Sequence, residues 1–199
     1  MFTPLTDADP AAMTQAGLAL ESVLQEQPGF VGRTLARSSG NRWVDVVNWA
    51  STEDAKAAAG VVMSDPGLQS RTAPFFSLID QGNGFDFSHS SILHRDVVRD
   101  VKMPEVIEVV LFRPAEGVDW ALFVAKAEAA FTEIRELSGL ISHQLSVDDS
   151  GRFIHVIVWA SMEEAIAAPE QAMAMPAPSA WFGLMDPSSI DMGHYSIVR

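Results

Sequence analysis

The sequence contains no cysteine, which removes disulfides, zinc–thiolate centres and thiol nucleophiles together. That absence fits a reducing cytoplasm. Basic residues are scarce: 13 Lys and Arg stand against 26 Asp and Glu, a net charge of −13. Such a surface repels a polyanion over most of its area, and Arg95, Arg99 and Lys102 are interleaved with Asp96 and Asp100 rather than forming a basic run. Nucleic acid is not an expected partner. Long apolar runs are also missing. Val106–Phe112 is short and carries Glu108 inside it, whereas a bilayer span takes roughly 20 residues. Met1–Pro10 is acidic, with neither a basic n-region nor an apolar h-region, so no signal peptide and no membrane partner is expected. Glycine-rich phosphate loops are absent too. Gly82-Asn83-Gly84 has no lysine after it and reads as a turn. No Ser-His-acid arrangement can be recognised.

What the sequence does contain is itself, twice. Gly29–Ala58 lies on Gly139–Ala168 with an offset of 110 and no gap, and eleven of the thirty positions are identical. The densest match is Trp49-Ala50-Ser51 with Glu53 and Ala55, answered by Trp159-Ala160-Ser161 with Glu163 and Ala165. A second block sets Ala73–Asp80 beside Ser179–Asp186, and a third sets Asp86–Ile92 beside Asp191–Ile197, pairing His89 with His194. Three collinear blocks define an internal repeat.

Each copy alternates between helical and strand periodicity. Ala11–Gln27 and Val118–Leu137 have helical spacing and stop at Pro28-Gly29 and Ser138-Gly139. Phe30–Arg37 and Leu140–Val147 alternate as strands, then turn through Ser38–Asn41 and Asp148–Gly151 into return strands Trp43–Trp49 and Phe153–Trp159. Ser51 and Ser161 sit at helix N-caps, with acidic residues in the first turn behind them. A short aromatic segment and a last strand containing the histidine complete each copy. The second copy also opens with a strand, Glu105–Arg113, where the first has only Met1–Thr3 before Pro4. That opening strand is therefore missing, or is replaced by the linker around Val97–Lys102 or by another chain.

The order strand, helix, strand, strand, helix, strand predicts an α+β fold. It gives two tandem ferredoxin-like βαββαβ modules with antiparallel sheets packed face to face as a fused pseudo-dimer. The expected domains are 1–94, a linker 95–104, and 105–199. The chain would then be a monomeric pseudo-dimer or form a homodimer. The mean hydropathy of +0.13 fits extensive burial.

The tandem blocks resemble the antibiotic biosynthesis monooxygenase-like family of the dimeric α+β barrel superfamily. The resemblance rests on the strand ending in Trp-Ala-Ser, the acidic turn and Ala-rich helix after it, and the closing strand with its histidine. It implies a cofactor-independent monooxygenase, or a related isomerase, acting on a small hydrophobic aromatic or enolic molecule. A non-catalytic binding protein and a structural or assembly module of the same fold are the alternatives, since fold alone does not select among them. In cofactor-free oxygenases of this kind a tryptophan ends the third strand and an asparagine lies four residues before it. Trp49 and Trp159 match the tryptophan, while Asp45 and His155 take the asparagine position. Haem-degrading relatives carry a histidine about ten residues past that tryptophan, and Ala59 and Pro169 stand there instead.

Residues 43, 45, 47 and 49 share one strand face, as do 153, 155, 157 and 159. Asp45 and His155 thus lie among Trp43 and Val47, or Phe153 and Ile157. Burial raises the pKa of a carboxylate and lowers that of a histidine, which brings such groups toward use as bases. The candidate catalytic residues are His155, His194, Asp45 and His89, with His155 as general base. Trp159, Trp49, Phe153 and Trp181 are candidates for an apolar wall against an aromatic ring. Core packing is the competing role for every one of them. No close histidine pair has metal-ligand spacing, so no metal is expected. The second copy, with its full opening strand, is expected to hold the better pocket. Met173, Met175, Pro176 and Pro178 read as a loop over the pocket mouth, with packing alone as the stronger competing role.

Overall fold

The computed structural model describes residues 1–199, and it divides into two compact units. One comprises Met1–His89 with Ile197–Arg199, the other Ser90–Ser196. The sequence repeat and the compact units do not share a boundary. Residues 90–104, read as the end of the first copy and a linker, fold with the second unit. No helix is long and apolar enough to cross a membrane.

The first unit contains α1 (Pro10–Gln25), β1 (Phe30–Arg37), β2 (Trp43–Trp49), α2 (Thr52–Ser64) and α3 (Pro66–Phe76). β1 and β2 form an antiparallel hairpin, Phe30 opposite Trp49 and Arg37 opposite Trp43. The missing opening strand survives as a remnant. Phe2 exchanges two backbone hydrogen bonds with Trp43, 2.9 and 2.8 Å, and Pro4 bridges to Ile79. The linker does not take that place, since Val98 and Arg99 donate to the carbonyl of Ile141 in the other unit's sheet. On the far side of β1, Val198 N–H donates to the Leu35 carbonyl. Met13, Leu20, Leu35, Trp43, Phe75 and Ile79 form the core beneath the helices.

The second unit contains β3 (Ser90–Val97), β4 (Val106–Phe112), α4 (Trp120–Ile134), β5 (Leu140–Asp148), β6 (Phe153–Trp159), α5 (Met162–Met173), α6 (Pro176–Phe182) and β7 (Asp191–Ile197). Its strands follow the spatial order β7-β4-β6-β5-β3, all antiparallel. β3, which the sequence assigns to the first copy, pairs with β5 of the second.

Local chemistry explains the boundaries. Ser51 and Ser161 cap α2 and α5, accepting from the backbone N–H of Asp54 and Glu164 at 3.0 and 3.2 Å. Gly29 and Gly139 have φ of 77° and 71°, a left-handed conformation that L side chains resist. The long second helix of each copy breaks in two, and Pro66 and Pro176 each start the new helix at a position where the absent N–H costs nothing. Of the expected loop over Met173–Pro178, only Ala174 and Met175 lie outside the helices. Met173 ends α5, and Pro178 is buried in α6.

Candidate active site

In an antiparallel ladder, residues directly opposite each other point to the same face. The register of the second unit therefore lays out two rows across its helix-covered face. One runs Asp96, His143, Ile157, Glu108, His194; the next runs His94, Leu145, His155, Val110, Met192. In the first row Ile157 separates His143 from Glu108 by two strand spacings, about 10 Å, and the polar residues fall into two clusters that share β6 through His155 and Trp159.

The first cluster is a trio of imidazoles. His94 and His143 lie nearly parallel with ring centres 5.3 Å apart, and His143 meets His155 edge-on at 5.5 Å. The Nε2 of His155 is 3.4 Å from Nδ1 of His143. Phe131 of α4 touches all three rings, and Trp181 of α6 lies 5.9 Å from His155. Burial, followed by the neighbouring His94, pushes the pKa of His143 down to about 4. Burial, then His143 and His94, drives that of His155 well below the usual imidazole range. Both are neutral rings at neutral pH. The Nε2 atoms of His94 and His143 and the indole N–H of Trp181 are buried without a hydrogen-bond partner. No three His, Asp or Glu side chains converge as metal ligands.

The second cluster is a chain. The indole N–H of Trp159 donates to Oε2 of Glu108 at 2.9 Å, and the same oxygen is 3.6 Å from Nε2 of His194. That nitrogen also lies 3.1 Å from the carbonyl of Ala165 in α5. A carbonyl only accepts, so Nε2 carries the hydrogen, and the lone pair of the neutral ring is on Nδ1. The bond to Glu108 raises the pKa of His194 above its ordinary value, against the opposing effect of partial burial. Glu108 and Trp159 are buried, whereas His194 is only half-buried.

The remaining candidates separate from these clusters. Asp45 is held by Arg33 through two bonds of 2.8 Å, and Arg33 also donates to the Gly17 carbonyl. His89 precedes β3 instead of lying within it and packs edge-on to Phe87 at 5.0 Å. Trp49 is half-buried against Phe30. Phe153 is fully buried between Phe112 and Phe123. The structure thus brings His155 to Trp181 and His194 to Trp159, but leaves Asp45 and His89 apart from both pairs. Sequence reasoning missed Glu108, His94 and Asp96. A lone carboxylate inside the otherwise apolar Val106–Phe112 was the available signal, because a buried charge demands a partner. A separate open groove of about 470 Å³ crosses the start of α5, lined by Ser138, Ser161, Glu163, Glu164, Ala167 and Gln171. None of the predicted site residues lines it.

No family sequence model matches the chain, and no curated protein matches it. Solved structures do. An anthrone oxidase-like protein superposes with a TM-score of 0.69 at 13% identity, covering 100% of this chain and 89% of the other. A ferredoxin-fold protein from Listeria monocytogenes related to antibiotic biosynthesis monooxygenases gives 0.55 at 11% identity, covering 90% and 88%. The fold is that of the antibiotic biosynthesis monooxygenase-like proteins. A haem-degrading enzyme of Listeria monocytogenes shares this monooxygenase-like fold at a TM-score of 0.52 and 12% identity, covering 89% and 91%. At such identities the likeness speaks for the fold, and the chemistry has to come from the site.

Proposed function

We propose that the second unit is the proton-abstracting centre of a cofactor-independent monooxygenase for a small aromatic or enolic molecule. The observation that carries this reading is the Trp159–Glu108–His194 chain. Glu108 fixes the ring of His194 and stabilises the imidazolium that forms when Nδ1 takes a proton. Trp159 holds the carboxylate in place and lends an apolar wall. A base whose pKa lies near the working pH is the effective one, and the partner groups raise His194 toward that range. His155 was the expected base, but burial makes its protonated form unfavourable, so we assign the role to His194. The anion left on the substrate supplies the electrons that dioxygen accepts. An activated CH₂ plus O₂ gives C=O plus H₂O, so no further reductant is required.

Oxygen uptake with anthrone as the probe tests the proposal. His194→Ala is expected to lower turnover by about 10²–10⁴-fold, the usual contribution of a general base. Glu108→Gln keeps an acceptor for Trp159 but removes the charge. The pH–rate profile, which should rise through a pKa above 6.5 in the wild type, should then move to lower pH. Unchanged turnover in His194→Ala, with a normal melt, would remove this histidine from the mechanism. Absence of uptake across anthrones and enolic diketones would favour the binding-protein alternative.

A further inference from the structure

We propose that His155, His143 and Asp96 form a proton path joining the buried interior of the second unit to water. His155 and His143 are buried, and their facing nitrogens are 3.4 Å apart. The far nitrogen of His143, Nε2, has no hydrogen-bond partner, and the group it faces is Asp96, whose Oδ2 is 4.0 Å away. A side-chain rotation that moves the carboxylate by about 1 Å brings this contact to hydrogen-bond length. Asp96 can make that movement because it sits on β3, at the edge of the unit's five strands, with 21% of its side chain exposed. Its present partner is Arg135 at 2.7 Å, itself half exposed.

Each neutral imidazole offers one donor and one acceptor. With Nε2–H of His143 toward Asp96, its Nδ1 accepts from Nε2–H of His155. A proton arriving at Nδ1 of His155 then displaces the one on its Nε2 into His143. His143 passes its own Nε2 proton to the Asp96 carboxylate, which releases it to water. Bonds made and broken balance, and no imidazolium needs to persist inside the core. The other groups facing the pair are His94, stacked on His143, and Arg135 beyond Asp96.

The first copy shows the same two positions built without this capacity. At the offset of 110, His143 and His155 correspond to Arg33 and Asp45, which form a bidentate ion pair. A guanidinium does not give up its proton in a protein. The second copy holds a conducting pair where the first holds a fixed one. This inference does not depend on the oxygenase reading, since it uses neither His194 nor a substrate.

Histidine ring ¹⁵N–¹H spectra of the full-length protein test it. They report the tautomer of each ring and the exchange of its N–H with water. The expected wild-type pattern is Nε2–H on both His143 and His155. Asp96→Asn and His143→Gln should each slow exchange at His155 at least tenfold, and Asp96→Glu should restore it. General loosening of the fold would accelerate exchange, so slowing cannot arise from damage. An Nδ1–H tautomer at His143, or exchange at His155 unchanged or faster in both variants, overturns the proposal.

Discussion

Replacing Asp45 by alanine isolates the energetics of the pair that occupies the first copy. Arg33 has 0% of its side chain exposed, and Asp45 has 18%. The guanidinium donates twice to Asp45, both at 2.8 Å, and once to the Gly17 carbonyl, and it lies 5.7 Å from the centre of the Phe75 ring. Asp45→Ala leaves that cation buried with a single acceptor. Breaking a buried ion pair from one side costs about 3–5 kcal/mol. Because water can reach the vacated carboxylate position, the lower end, about 3 kcal/mol, is expected. For a chain of this size that is a fall of about 6–12 °C in melting temperature. Urea unfolding followed by circular dichroism measures it. The double variant Arg33→Met/Asp45→Leu, which removes both charges, should lie within about 1 kcal/mol of the wild type or above it. Arg71–Glu26 is a built-in control at a nearly equal distance of 2.7 Å, but both side chains are about half exposed. Glu26→Ala should barely move the midpoint, since an exposed pair is screened and held at an entropic cost. A loss under about 1 kcal/mol for Asp45→Ala would refute the claim that burial sets the strength of this pair.

Two further predictions concern the second unit. His143 has its pKa depressed to about 4 in the fold against 6.5 unfolded, so between these values the unfolded chain binds the extra proton. Its contribution is intact above pH 6.5 and is lost as the pH falls toward 4, roughly 3 kcal/mol in all. His143→Gln should flatten the fall in melting temperature between pH 7 and pH 4.5, and an unchanged slope would count against a buried neutral ring. Gly139→Ala forces a Cβ into a left-handed backbone and against the Glu164 carboxylate. It should destabilise by about 1–2 kcal/mol in a urea titration.

The hairpins and caps were legible because they are local and appear twice. Phe30–Arg37, Trp43–Trp49 and Phe153–Trp159 begin and end where alternation and turn residues place them, and Ser51 and Ser161 cap as their acidic followers suggest. The partner of β3 was not legible. Alternation tells which residues of a strand share a face, but says nothing about which strand lies alongside, and Ser90–Val97 has joined β5 of the other copy. The site was half legible for the same reason. His155 and His194 stand out by position in the repeat. The pairing of His194 with Glu108, and of His143 with Asp96, depends on cross-strand register. In β3 that register shifts between Ile92 and His94, so counting residues could not have placed His94 beside His143.

The duplication explains why two such different polar pairs occupy one structural position. In each copy an aromatic ring of the last helix covers the pair, Phe75 over Arg33 in one and Trp181 beside His155 in the other. A polar group under such a lid must be paired or neutral, because burial penalises an isolated charge heavily. Arg33 and Asp45 meet the condition with opposite charges, which locks the geometry. His143 and His155 meet it by staying neutral, and neutral imidazoles keep one donor and one acceptor each. The first solution is rigid and chemically closed. The second leaves Nε2 of His143 and the Trp181 indole N–H without partners, a desolvation cost that the closed pair avoids. A single copy could not satisfy both demands at one position. Two copies can, and the proposed proton path accordingly falls in the unit that carries the histidine pair.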